Sequence, residues 1–160
     1  MSKCYSSFRM ICALVLSFFL TSSCSENNSG GETFIKGFYD SYIWGPEYQN
    51  FGKNAKELCS DALLQRLRES YDYECDDDNC YALWEFRTSN QDGPSNISEI
   101  RDITSIGKGW YLVRYIDMGH EGATAIELKE YYASFLINDM FNILENNARW
   151  VDLQHLLRVN

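Results

Sequence analysis

The sequence holds only two histidines, His120 and His155, and only two prolines in 160 residues. Two histidines leave little for a Ser–His–Asp triad or a histidine-based metal centre. No Gly-rich phosphate loop precedes a helix-like segment, and no G-x-S-x-G elbow occurs. No C-x-x-C pair or paired histidine spacing is present, so the usual zinc signatures are missing. Basic residues are few: 14 Lys and Arg stand against 23 Asp and Glu, a formal net charge of -9. Neutralising a phosphate backbone needs clustered Lys and Arg, so nucleic acid is not the expected partner. There is no apolar run of about 20 residues, the length a membrane-spanning helix needs. What is there is 45% hydrophobic and 15% aromatic. That is enough to core one domain and too apolar for a disordered chain. Nothing in this inventory implies a cofactor or a metal.

The shorter apolar run that does exist lies at the start. Lys3 and Arg9 form a positive opening, and residues 10–20 read MICALVLSFFL without a charge. That is the length of a signal-peptide core. Leu20-Thr21-Ser22-Ser23-Cys24 follows, and it resembles the lipobox of bacterial lipoproteins, with the apolar residue one place early. In that family the cysteine is lipidated and becomes the new N-terminus. The alternative is an ordinary secretory signal cleaved nearby. The expected organisation is a lipoprotein signal peptide over 1–23, a tether over 24–32, an α+β domain over 33–140 and a helical extension over 141–160. Removing residues 1–23 takes two of the 14 basic residues and none of the 23 acidic ones, so the net charge moves from -9 to -11. The expected location is the bacterial cell envelope, with the outer membrane as anchor and the domain on its periplasmic or surface face. The expected membrane partner is reached through lipid, not through a spanning helix.

Such a compartment permits disulfides. Cys4 and Cys12 leave with the signal and Cys24 carries lipid, so Cys59, Cys75 and Cys80 remain. An odd number leaves one thiol free or paired elsewhere. Cys75 and Cys80 bracket Asp76-Asp77-Asp78-Asn79, and a small bridged loop is the preferred pairing. The acidic run also invites calcium. An EF-hand loop counted from Asp76 needs Gly sixth and Glu twelfth, and finds Tyr81 and Arg87. A solvated acidic loop is the simpler reading.

Residues 32–48 carry Phe34, Phe38 and Tyr42 at helical spacing beside Ile35, Tyr39 and Ile43. A short turn is expected over 54–58. A second helix is expected behind an N-cap at Ser60, with Leu63, Leu64, Leu67 and Tyr71 inward. Residues 81–87 read as a strand-like apolar run, and 88–94 as a turn cluster. Strands then follow: Ile100, Ile103 and Ile106 to a Gly107-Lys108-Gly109 hairpin, Trp110 to Ile116, a loop over 117–122, then 123–130 and 133–139. The tail from Met140 looks helical. Helices first and an antiparallel meander after them make an α+β order, with N-terminal helices packed on one face of the sheet.

Several short motifs then line up. They are Ala82-Leu83-Trp84-Glu85-Phe86-Arg87-Thr88, Gln91-Asp92-Gly93, Gly109-Trp110-Tyr111, Tyr115-Ile116-Asp117-Met118-Gly119 and Phe135-Leu136-Ile137-Asn138-Asp139. Their order and spacing over residues 34–140 resemble a family of small Bacteroides-type lipoproteins of unknown function. The resemblance implies a nuclear-transport-factor-2-like (cystatin-like) fold: a strongly curved antiparallel sheet wrapped round N-terminal helices, with a pocket in the cone. It implies no activity. The Cys75–Cys80 loop and the stretch from about Asn142 onward are not features of that family. The latter would plug or cover the cone.

The candidate binding set is Trp84, Arg87, Gln91, Asp92 and Tyr115. Arg87 can fork onto a carboxylate such as Asp92 or Asp117, either to shape a ligand site at the cone mouth or to lock a loop to the sheet. Trp84 and Tyr115 have the strand-like setting of core or cone-lining aromatics. Asp92, Asp117 and His120 are weak acid–base candidates, with His120 equally a loop histidine. No complete catalytic constellation is present. The expected function is a lipid-anchored, non-enzymatic binding module for a protein or small ligand, for example an immunity protein that neutralises a toxin. The alternative is a small-molecule binder or acid–base enzyme using the cone. The first expectation is testable directly: Cys24→Ala should abolish incorporation of a labelled fatty acid into the chain in a bacterial host.

Overall fold

The computed structural model describes residues 26–71, 73–75, 80–88 and 93–158. Among these residues the fold is α+β, with four α-helices and one open four-stranded antiparallel sheet. Helix α1 (Glu26–Phe38) passes straight into one π-helical turn, Tyr39–Ile43. Ile35, Phe38, Tyr39 and Ile43 are buried along it. Residues 26–31 were expected in the tether, and they are helical instead. Gly31 serves close approach: a Cβ there would overlap the Tyr111 hydroxyl, whereas one on Gly30 would meet the Phe135 ring at an ordinary contact distance of 3.4 Å. Gly31 thus meets Tyr111, and Tyr39 meets Tyr115 with ring centroids 5.8 Å apart. Eight helical residues separate these two contacts, a rise of about 12 Å.

Helix α2 (Phe51–Leu58) is a full two turns where one was expected. Helix α3 (Asp61–Glu69) starts as its sequence indicates. The Ser60 hydroxyl accepts from the Leu63 N–H at 3.4 Å, and Leu63, Leu64 and Leu67 are buried. The run over 81–87 is not a strand. It holds a 3-10 helix, Leu83–Phe86, tied to α3 by the Ala82 N–H donating to the Leu67 carbonyl at 2.9 Å. The tight three-residue repeat turns both Leu83 and Phe86 into the core. Cys75 and Cys80 are joined by a disulfide, and Cys59 is free and buried. Asp76 to Asn79 lie outside the described residues, as does Cys24.

The strands are β1 (Glu99–Gly107), β2 (Trp110–Asp117), β3 (His120–Tyr131) and β4 (Ser134–Asn142), paired in that order. The segment expected as a loop over 117–122 is a tight turn, Met118-Gly119, with Asp117 and His120 facing each other across it. β4 also runs on to Asn142, so the last helix, α4 (Asn147–Arg158), begins later than expected. Alternation along β2 sends Tyr111, Val113 and Tyr115 towards α1–α3 and Trp110 to the other face. There Trp110 packs with Ala125, Phe141 and Leu153, joined by Trp150 and Leu157. Helix α4 therefore covers part of the face opposite α1, around Trp110 and Phe141, where cover on one face alone was expected; Arg114 on that second face stays exposed.

The larger core carries hydroxyls and a thiol at depth. The Tyr39 hydroxyl donates to the Phe86 carbonyl at 2.9 Å, and the Tyr115 and Thr124 hydroxyls meet at 3.0 Å. Gly122 makes room for Tyr115, because a Cβ there would overlap its ring and the Thr88 hydroxyl. Burial pushes the Tyr39, Tyr115 and Cys59 groups above their ordinary values of 10.0 and 9.0, and the Asp117 charge adds to the rise at both tyrosines. Above those ordinary values the unfolded chain releases these protons while the folded chain keeps them, so folding loses free energy as pH rises. Urea titrations should therefore show the unfolding midpoint falling steeply above about pH 9. Tyr39→Phe should flatten that fall while lowering the midpoint at neutral pH.

Candidate functional site

Two polar clusters occupy the described surface and interior, and they differ in access. The first lies where β2 ends. Arg87 follows the 3-10 helix and is 2% exposed; Asp117 closes β2 and is 0% exposed. Their contact is bidentate, with Arg87 Nη2 donating to Oδ1 at 2.8 Å and Nε to Oδ2 at 3.2 Å. The Thr88 N–H donates to Oδ2 at 3.2 Å, and the Ser98 hydroxyl to Oδ1 at 2.9 Å. Arg87 Nη1 donates to the Gly93 carbonyl at 2.9 Å, and Asn142 Nδ2 to the Arg87 carbonyl at 3.1 Å. Both carboxylate oxygens and both ends of the guanidinium are thus engaged by protein, away from solvent. Such a pair locks a loop onto a sheet and has no open position for a ligand.

Of the residues read as candidates, Arg87 and Asp117 meet here. Tyr115 lies two residues before Asp117 but is a core residue, 1% exposed and packed on Tyr39 and Trp44. His120 faces Asp117 in the strand register and is exposed. Gln91 and Asp92 lie outside the described residues. Trp84 is elsewhere: half-buried, with its ring 5.3 Å from Tyr71 and 5.9 Å from Tyr73, which is 67% exposed.

Trp84 also walls the second cluster, an open groove of about 520 Å³ lined by Arg66, Glu85, Asn142, Glu145, Asn146 and Arg149 among others. Its two arginines share the Asp139 carboxylate, which is not itself part of the lining. Arg66 of α3 donates to Asp139 Oδ1 at 2.6 Å, and Arg149 of α4 pairs with Oδ2 of the same group. Arg66 also reaches the Met140 carbonyl at 2.7 Å, and the Arg149 guanidinium lies over the Phe141 ring at 4.4 Å. Glu85 and Glu145 also line the groove, with Glu85 4.0 Å from Arg66 Nε, so the two guanidiniums are balanced by acids. The side chains of Arg66 and Arg149 are 36% and 38% exposed, so their remaining N–H groups face solvent. The groove can therefore take a polar partner by hydrogen bonds and charge, with Trp84 offering a flat apolar wall.

Sequence reading missed Arg66, Asp139 and Arg149 as a set. They stand far apart in the chain on three different elements, and no local spacing joins them. Among the described residues, no group of three or more His, Cys, Asp or Glu is placed to hold a metal, and no helix is long and apolar enough to cross a membrane.

No protein-family model, curated protein or solved structure matches this chain.

Breaking the sealed pair should be costly, because it leaves an unpaired charge in the interior. Asp117→Asn should lower the unfolding free energy by about 3–5 kcal/mol, read as a shift of the denaturant midpoint at unchanged slope. A loss under about 1 kcal/mol would mean the pair is not the lock its geometry describes.

Proposed function

We propose that the chain is a lipid-anchored, non-enzymatic binding module of the bacterial envelope, held through Cys24, and that the groove beside Trp84 is where it meets its ligand. The observation that carries this reading is the contrast between the two polar clusters. The Arg87–Asp117 pair is sealed from solvent, whereas the groove that holds Arg66 and Arg149 is open and both of its arginines are partly exposed. An acid–base enzyme built on Asp117 would need that carboxylate to exchange protons with a substrate, and its oxygens are already taken by Arg87, Thr88 and Ser98.

The favoured ligand is a protein, and a toxin-neutralising immunity role is one form of this. A net charge of -11 after removal of residues 1–23 steers basic partners and weakens with salt. The groove's mixed charges would then fix orientation once contact is made. The finer fold reading belongs to the same proposal: a nuclear-transport-factor-2-like cone in a divergent member of the Bacteroides-type lipoprotein family. Irregular pairings between β1 and β2 and between β3 and β4, of the kind that bend strands, support it.

The test uses the chain from Ser25 onward as bait against envelope extracts and supernatants of competing bacteria. One dominant protein should be captured, less of it at moderate than at low salt. Trp84→Ala and Arg149→Glu baits should lose most of it while keeping the wild-type melting temperature within a few degrees, because the groove's ion pairs are partly solvated. Capture that ignores both substitutions would remove the groove as the contact. No captured protein at all would turn the reading to a small ligand, sought by thermal shift.

A further inference from the structure

The hairpins have unequal tips. Two of them turn at Lys108-Gly109 and Met118-Gly119, with positive φ at both residues of each turn and glycine at the second. The third turns at Tyr132-Ala133, and here Tyr132 itself sits at φ 52°. An aromatic residue is a poor choice for that left-handed conformation. It is also 93% exposed, and its neighbour Tyr131 is 45% exposed with the two rings 4.5 Å apart. The core gains nothing from either ring. The tip projects as well: β2 ends its pairing at Trp110 opposite Glu127, and β3 continues to Tyr131. Four further residues extend about 13 Å.

The position of this tip is informative. Helix α1 has its N-terminal end at this side of the sheet. Gly30 lies against Phe135, three residues from Tyr132, and the Phe34 and Phe135 rings are 6.0 Å apart. Helix α1 is described from Glu26, two residues along the chain from Cys24. Two peptide steps reach at most about 7 Å. A lipid on Cys24 would thus hold this end of the domain near the bilayer. The same end carries Lys108, whose ammonium donates to the Leu156 carbonyl at 2.8 Å, and the exposed Leu156. Lys129 and Glu130 are exposed just before the tip. Tyrosine is favoured at the level of lipid headgroups, where its ring is apolar and its hydroxyl stays wet.

We propose that the Tyr131–Tyr132 tip is a second, non-covalent membrane contact, which enters the headgroup layer of the bilayer that holds the Cys24 lipid. This rests on the anchoring reading above. It fixes the domain's orientation: the β1–β2 and β3–β4 turns face lipid, and the Met118-Gly119 end faces away. The groove between α3 and α4 then opens to the side.

The full chain tests this after purification from a bacterial host and reconstitution into phosphatidylethanolamine and phosphatidylglycerol vesicles. Lipid on Cys24 is checked by mass. An environment-sensitive dye is attached at Tyr132→Cys, and separately at Glu121→Cys near the opposite end of β3. Cys59 is buried and Cys75 and Cys80 are bonded, so the new thiol is the reactive one. The expected result is blue-shifted emission at position 132 that is lost when the acyl chains are brominated, with neither change at position 121. Tyr131→Cys repeats the reading should Tyr132→Cys fold poorly. Tyr132→Gly should melt no lower than the wild type; a lower melt would assign the ring to the fold and overturn the inference. A water-like dye at both tip positions on lipidated protein would overturn it too, leaving the anchor intact and a protein partner as the occupant of the tip. Absence of lipid on Cys24 would remove the anchoring reading and this orientation with it.

Discussion

The Arg87–Asp117 pair is the contact on which the arrangement of this fold depends. Two full charges in the interior are expensive to desolvate, and their attraction returns that cost only when geometry is good and every remaining polar group is satisfied. Both conditions are met. The pair is bidentate, and Thr88, Ser98, Gly93 and Asn142 complete the surrounding hydrogen bonds. Its value is less in net stability than in position. Asp117 is the last residue of β2, Arg87 leaves the 3-10 helix, Ser98 leads into β1 and Asn142 ends β4. Four chain segments are fixed relative to one another at that end by one charge pair. A hydrophobic replacement could fill the volume but would not specify which segments meet.

The opposite end of the sheet is organised by apolar contact and by missing side chains. Helix α1 can approach the sheet because Gly31 presents no Cβ to Tyr111. Gly122 performs a similar service for Tyr115 across the β2–β3 pairing. Once α1 is seated, its aromatic stripe of Phe38 and Tyr39 reaches Phe86, Trp44 and Tyr115, and the core closes around these rings. The helix thus connects the end that follows Cys24 to the end that holds the charge pair. A load at one end is passed along a packed helix rather than along a loop.

These facts explain what could be read in the sequence. The three hairpins, the α3 cap at Ser60 and the aromatic stripe of α1 are local patterns, and periodicity and turn chemistry reveal them. Glycines are ambiguous in sequence. Gly30-Gly31 beside Ser and Asn looks like a linker, yet in contact with Tyr111 it is a packing surface, and only the partner distinguishes the two. The 3-10 helix at Leu83–Phe86 is ambiguous for a similar reason. Four residues are too few for a period, and tertiary burial of Leu83 and Phe86 decides the conformation. The covered second face was hidden because α4 is weakly patterned, with Val151 and Leu156 exposed beside buried Leu153. The groove was hidden most completely. Arg66, Asp139 and Arg149 become neighbours only after α3, β4 and α4 are in place. Trp84, by contrast, could be singled out because it is a large aromatic next to polar residues in one short motif.

The distribution of polar groups has a consequence for how such a domain can act. A protein that works by moving a charged group must keep that group accessible, and the most highly organised charges here are the least accessible ones. A protein that works by holding a partner needs a rigid frame and a surface with unspent hydrogen-bonding capacity. The frame is supplied by a sheet packed on one face by α1–α3, on part of the other by α4, and locked at one end by ions. The capacity lies in two arginines that share a single carboxylate at the junction of α3, β4 and α4. Because Asp139 satisfies each guanidinium only in part, an incoming carboxylate or carbonyl can bond to the free N–H groups without first breaking the internal pair. Recognition of that kind leaves the scaffold unchanged on binding, so the ordering cost of association falls mainly on the partner.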